Sequence, residues 1–214
     1  MRLANRDHPY LVLAANAQPT YPLFTVNSTA DAFDTNPGDG ICADSENRCT
    51  LRAAVDEANS NTSNRPVITF SLSYPAVINL TLGEIHIQMA DAFEYYLVGP
   101  GPRLLTVQRN PSAKQPFRIF NVTASGQNGG RLVMRGLTIK NGMGGSQFPG
   151  GGLRVGPGAI VALRKAALIN NSASLGGAIA SERAEQRIRR LECFGRIQFG
   201  RTGRGTLDLG PRLP

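Results

Sequence analysis

A chain of 214 residues with 24 Gly, 7% aromatic residues and no Trp can bury one well-formed domain, and its composition suits a turn-rich β protein better than a helical bundle. The formal charge of +8 sits mostly at the ends: eight Arg against four acids in residues 181–214, two Arg against one Asp in residues 1–22, and thirteen basic against ten acidic groups between them. Without aromatic residues interleaved among the cations this charge does not read as nucleic-acid binding, and no run approaches the ~18 apolar residues of a transmembrane span.

Residues 1–22 read as a leader. Arg2 and Arg6 precede the apolar run YLVLAA, and Ala15 and Ala17 bracket Asn16 in the small-x-small pattern of a secretory cleavage site. The expectation is a signal-peptide remnant, with a disordered or strand-forming leader as the alternative.

Residues 23–180 form the main unit. Phe24 and Val26 alternate with polar residues as in a strand, and the stretch from Asn36 to Gly40 supplies a long turn. From there the apolar positions Leu51, Ala54, Val55 and Ala58 follow i, i+3, i+4, i+7, which predicts a helix of about two turns with Thr50 at its start and Asn59 at its end. So short a helix is unstable alone in water, and its apolar face must rest on something. Cys42 and Cys49 enclose a loop just before it. They lack the companion ligands that zinc needs and the spacing of a redox pair, which leaves a structural disulfide in an oxidising compartment or two buried thiols. Asp34, Asp39, Asp44 and Glu46 crowd the same loop and could hold a structural Ca²⁺, although acidic turn residues are common without an ion. No other cofactor is expected.

The segment FTVNSTADAFDTNPGDGICADSENRCTLRAAVDEAN resembles the N-terminal motif of CSLREA-domain proteins, which opens right-handed parallel β-helices on bacterial secreted and surface proteins. The signature here reads Cys49-Thr50-Leu51-Arg52-Ala53-Ala54. Thr in place of Ser keeps a capping hydroxyl, whereas Ala53 stands where the family has Glu, so any role of that carboxylate is missing. The resemblance implies an end cap and an extracellular or outer-membrane setting.

Downstream the pattern becomes β throughout. Ile68, Phe70 and Leu72 alternate with Val67, Thr69 and Ser71; Leu80, Leu82, Ile85 and Ile87 alternate around Gly83; YYLV, LLTVQR and FRIFNVTA add further short strands. LVMRGLTIKNG from Leu132 matches VALRKAALINN from Val161 at an offset of 29, and GGGL from Gly150 matches GGAI from Gly176 at an offset of 26. Such periods mark stacked repeats. Leu132, Met134, Leu137 and Ile139 should point inward, as should Val161, Leu163, Ala166 and Leu168, with Asn141 and Asn170 stacked at one corner. The fold expected from all this is all-β: a right-handed parallel β-helix, or solenoid, with a short N-terminal capping helix.

Residues 181–214 break the pattern with eight Arg and no Lys, and read as a disordered tail, an end cap in which Ile188, Leu191 and Cys193 form a short helix, or a frameshift product. Enzymes on parallel β-helices need carboxylates on the outer strand face, yet Tyr95 through Ala180 contains no Asp or Glu. The functional expectation is therefore a secreted or cell-surface protein with a structural or adhesive, non-catalytic role. The alternative is a shortened polysaccharide-acting enzyme of the pectin-lyase-like type, or a nonfunctional fragment. Arg131, Arg135, Lys140 and Arg164, with Arg154 and Lys165 nearby in sequence, offer a candidate face for acidic glycans or cell-envelope components, against the plainer reading of solvated surface charge.

Overall fold

The computed structural model describes residues 21–60, 65–126, 128–145 and 149–181, together with the backbone of residues 192 and 193. The expectations for residues 1–20, and nearly all of those for the Arg-rich tail, lie outside the described residues. The elements in order are β1 (Leu23–Val26), α1 (Leu51–Ser60), β2 (Val67–Phe70), β3 (Ala76–Leu80), β4 (Ile85–Met89), β5 (Glu94–Val98), β6 (Leu105–Arg109), β7 (Phe120–Ala124), β8 (Gly130–Arg135), β9 (Thr138–Lys140), β10 (Leu153–Val155), β11 (Ala159–Ile169), β12 (Ile179–Ser181) and β13 (Glu192–Cys193).

The strands form two parallel sheets. One follows the path β1-β2-β5-β8-β11-β9-β6-β3, with β13 added at β11, and the other runs β12-β10-β7-β4. This corrects the expected right-handed parallel β-helix: among the described residues the strands form two parallel sheets and no closed solenoid, while the short helix expected near the N-terminus is present as α1. β11 accounts for much of the difference. It continues unbroken for 11 residues, pairing with β8 through its first half and with β9 through its second, so two strand stacks belong to one hydrogen-bonded path. Midway along β11, Arg164 and Lys165 are exposed in succession and Lys165 has a φ of 46°, so the strand turns a corner without ending.

Short alternating segments give these strands because one side is buried against the facing sheet and the other meets water. β3 and β4 show it plainly: Ala76, Ile78 and Leu80, then Ile85, Ile87 and Met89, are buried while the residues between them are exposed. The inner faces merge into one apolar core that includes Val26, Ile68, Leu97, Met134 and Leu163 from the longer path and Ile87, Phe120, Val122 and Leu153 from the four-stranded sheet. Removing a Leu or Ile side chain from water contributes roughly 1.5–3 kcal/mol each.

The internal repeat appears as ladder register: Val161 pairs with Leu132, and Leu168 with Ile139. Two local expectations change. Leu82 is half exposed in the turn between β3 and β4 and takes no part in the core. Asn141 and Asn170 both adopt left-handed backbone (φ 59° and 53°), yet the amide that stitches this corner is that of Asn171, which accepts from Gly142 N–H at 2.9 Å and donates to Ile139 C=O at 2.9 Å. Within the tail, Glu192 and Cys193 extend as β13 beside β11, which departs from the short helix that the end-cap alternative placed there.

Candidate functional site

The N-terminal segment is built around α1, which lies against β1 and β4 and covers one end of the core. Thr50 prepares its start: its hydroxyl donates to Ala32 C=O at 2.6 Å and accepts from Ala53 N–H at 3.0 Å. Leu51, Ala54, Val55 and Ala58 are buried in the core. Arg52 is buried too, and its guanidinium meets Asp31 at 2.7 Å while donating to Gly83 C=O at 2.8 Å and Glu84 C=O at 3.0 Å. Its flat face stacks over Phe33, 5.1 Å from the ring centroid. Asp31 also accepts from the N–H groups of Thr81 and Leu82 at 2.6 and 2.8 Å. One ion pair thus ties loop, helix and the β3–β4 turn together.

Cys42 and Cys49 are joined by a disulfide across that loop. Asp34 accepts from Asn36 and Ala43 N–H, Asp39 from Ile41 N–H, and Asp44 from Glu46 and Arg48 N–H. Arg48 adds a bidentate contact to Asp44 at 2.7 and 2.9 Å and reaches Glu46 at 2.8 Å, and the Arg48 guanidinium holds the Asp44 carboxyl below its ordinary range. Among the described residues no group of three or more His, Cys, Asp or Glu is disposed to hold a metal ion.

Glu57 and Asn59 complete the segment. The Glu57 carboxylate is buried and accepts from Gly38 and Gly40 N–H, fixing the turn of the long loop against the helix. The Asn59 amide donates to His86 C=O at 2.7 Å and accepts from Gln88 N–H at 2.9 Å. Those groups lie on the β4 edge that faces away from β7, so one side chain supplies the donor and acceptor of a missing neighbouring strand.

The cations proposed as a common face separate. Arg131 is held by Glu94 at 3.3 Å, a carboxyl kept below its usual range first by the Tyr96 hydroxyl and then by Arg65 and Arg131. Lys140 lies on β9, beyond the corner, beside Gln108 and Ile169. Arg154 donates to Asn121 at 2.8 Å on the four-stranded sheet. Arg135 and Arg164 do come together, as direct ladder partners, and with Lys165 they line an open cleft of about 450 Å³.

A second polar cluster covers the outer face of the four-stranded sheet. Arg118 bonds Glu84 at 2.5 Å, Glu84 accepts from Asn121 at 2.9 Å, and His86 Nε2 lies 2.8 Å from the Thr123 hydroxyl. Burial pushes the His86 imidazole below its usual value, with Arg154 and Arg118 acting in the same direction against the opposing pull of Glu84.

No family model, curated protein or solved structure matches this chain. No helix among the described residues is long and apolar enough to cross a membrane.

Several of these residues lay outside the sequence expectations. Asp31 and Glu57 are single acids in polar stretches, and nothing in their spacing marks them as buried. Ala53 carries a weak signal, because an Ala on the supposed solvent side of a short helix means that side is covered as well. The His86–Thr123 contact joins residues 37 apart and runs diagonally across the β4–β7 ladder, in which His86 pairs with Asn121 and Thr123 with Gln88.

Proposed function

We propose that the protein is a structural or adhesive, non-catalytic protein of a secreted or cell-surface setting, with its N-terminal segment acting as an end cap of the kind the CSLREA motif forms. The observation that carries this reading is the state of the acids. Every carboxylate among the described side chains accepts from an N–H group or a guanidinium, with Asp91 bound to Asn128 and Asp56 to Asp34 N–H. Glycoside cleavage needs a carboxyl able to exchange a proton with substrate, opposite a second one. The disulfide is consistent with an oxidising compartment.

The test is to incubate the oxidised full-length protein with a panel of linear polysaccharides while following both retention on the polymer and release of new chain ends. Retention without release is expected, and release by the wild-type protein overturns the reading. A polysaccharide-acting enzyme is the second reading, favoured by His86 beside the Thr123 hydroxyl with Arg118 and Arg154 close by. It requires that any chain cleavage vanish in His86→Ala.

A further inference from the structure

The outer face of the longer strand path has two kinds of charged column. In one, Glu94 pairs in register with Arg131 and neutralises it. In the next, Val98, Arg135 and Arg164 follow one another on β5, β8 and β11, and Lys165 comes directly after Arg164. Neighbouring strands lie about 4.8 Å apart, so Arg135 and Arg164 are like charges at ladder distance, an arrangement that costs stability unless an anion offsets it. The described side chains that line this cleft include no acid; the next position of the same column is Glu192, whose backbone pairs with Arg164 on β13.

The chemistry of the cleft narrows what would fill it. The glycine N–H groups along it are already used: Gly99 N–H goes to Arg135 C=O at 2.8 Å, Gly101 N–H to Gly136 C=O at 2.8 Å, and Gly136 N–H to Arg164 C=O at 3.1 Å. An anion would be gripped chiefly by the side chains of Arg135, Arg164 and Lys165, and the planar guanidinium forks suit carboxylate or sulfate oxygens. Pro100 and Pro102 form a wall and no aromatic ring lines the site, so a nucleic-acid base would find nothing to stack on. The cleft is open at the surface, which suits a chain passing through it better than an enclosed small molecule. The strand spacing is also close to the length of one sugar unit in an extended polymer.

We propose that this cleft binds an acidic linear polysaccharide, with Arg135 and Arg164 holding successive carboxylate or sulfate groups and Lys165 adding a third contact. The proposal deepens the adhesive reading and rests on it.

The experiment titrates the full-length oxidised protein with alginate, dextran sulfate and neutral dextran at low and at physiological salt, with chain length of each polymer checked afterwards. Binding to one or both acidic polymers, weakening with salt, is expected; the polymer that binds identifies carboxylate or sulfate as the source. The double variant Arg135→Gln/Arg164→Gln should bind about tenfold more weakly or worse, whereas Lys114→Gln/Lys140→Gln, which removes the same charge outside the cleft, should change affinity less than about twofold. Lys165→Asn, which suits left-handed backbone, should show a smaller loss and serves if the double variant does not fold. Failure of both acidic polymers to bind, equal affinity for neutral dextran, or equal loss in the two double variants overturns the site. Shortened polymer would instead overturn the non-catalytic reading while leaving the measured affinity standing.

Discussion

Arg52 and Asp31 share a buried contact in which neither charge reaches much water, with side-chain exposures of 5% and 2%. Removing one partner leaves the other desolvated, together with the carbonyl and amide groups it served. Arg52→Ala should therefore cost about 3–5 kcal/mol in urea unfolding, far more than Arg65→Ala, whose guanidinium is half exposed at 3.4 Å from Glu94. Asp44 and Glu94 weaken the fold in acid, against Asp56, whose carboxyl is pushed up by burial so that it acts with the opposite sign. The Asp44 and Glu94 carboxyls are held below their ordinary values by folded-state partners, so the stability they contribute is present above the unfolded carboxylate range and is lost as pH falls through their lowered values. His86, pushed down by burial, acts with the same sign at higher pH. The melting temperature should thus drop on acidification, and Asp44→Asn should flatten the most acidic part of that drop while lowering stability at neutral pH by about 1–3 kcal/mol. At this scale the sequence was legible where spacing carries information, as in Thr50 before Leu51, and illegible where a lone acid acquires meaning from a distant turn. Asp31 becomes central only because Thr81 and Leu82 arrive beside it, 50 and 51 residues later.

α1 shows how an element too short to stand alone is held. Its apolar face rests on the core, its other side is covered by the loop from Asn27 to Cys49, and the disulfide restrains that loop. With a sequence separation of 7, closing the loop in the unfolded chain is worth about 2.5 kcal/mol on a chain-entropy estimate. Cys42→Ser/Cys49→Ser should lose stability of that order, and hydrogen exchange should show the loop and α1 opening before the sheets do. Helix periodicity made α1 readable from its apolar positions. β11 was not readable, because Arg164 and Lys165 interrupt the alternation and look like a strand end when they are in fact a corner within one strand. The sequence repeat aligned this whole segment with the one from Leu132, but it carried no sign that a single strand runs through the corner and joins two strand stacks. Asn59→Ala tests the edge of β4 directly. The Gln88 amide should lose most of its exchange protection, while amides that face β7 keep theirs.

Across the whole molecule, the parallel ladders join residues some 26 to 44 positions apart, as in Leu153 with Ile179 and Leu23 with Val67. Such pairings form slowly because chain closure precedes any gain from contact. Close packing of the layers depends on a few bare backbones. A Cβ on Gly136, which has a φ of 70°, would sit 2.2 Å from Gly99 O, so Gly136→Ala should cost upwards of about 2 kcal/mol and lower the urea midpoint without changing which elements form. The offset of 29 in the sequence foretold which residues neighbour one another; how the stacks join was decided by β11, which no period describes. Asn59 also bears on how these molecules behave towards each other. It shows β4 the bonding pattern of a strand yet has no far side on which a further strand could build. A foreign chain can use that edge only after α1 has moved away. The helix in turn rests on the loop that the disulfide closes, so reducing two sulfur atoms should make this one edge of the sheet easier to reach.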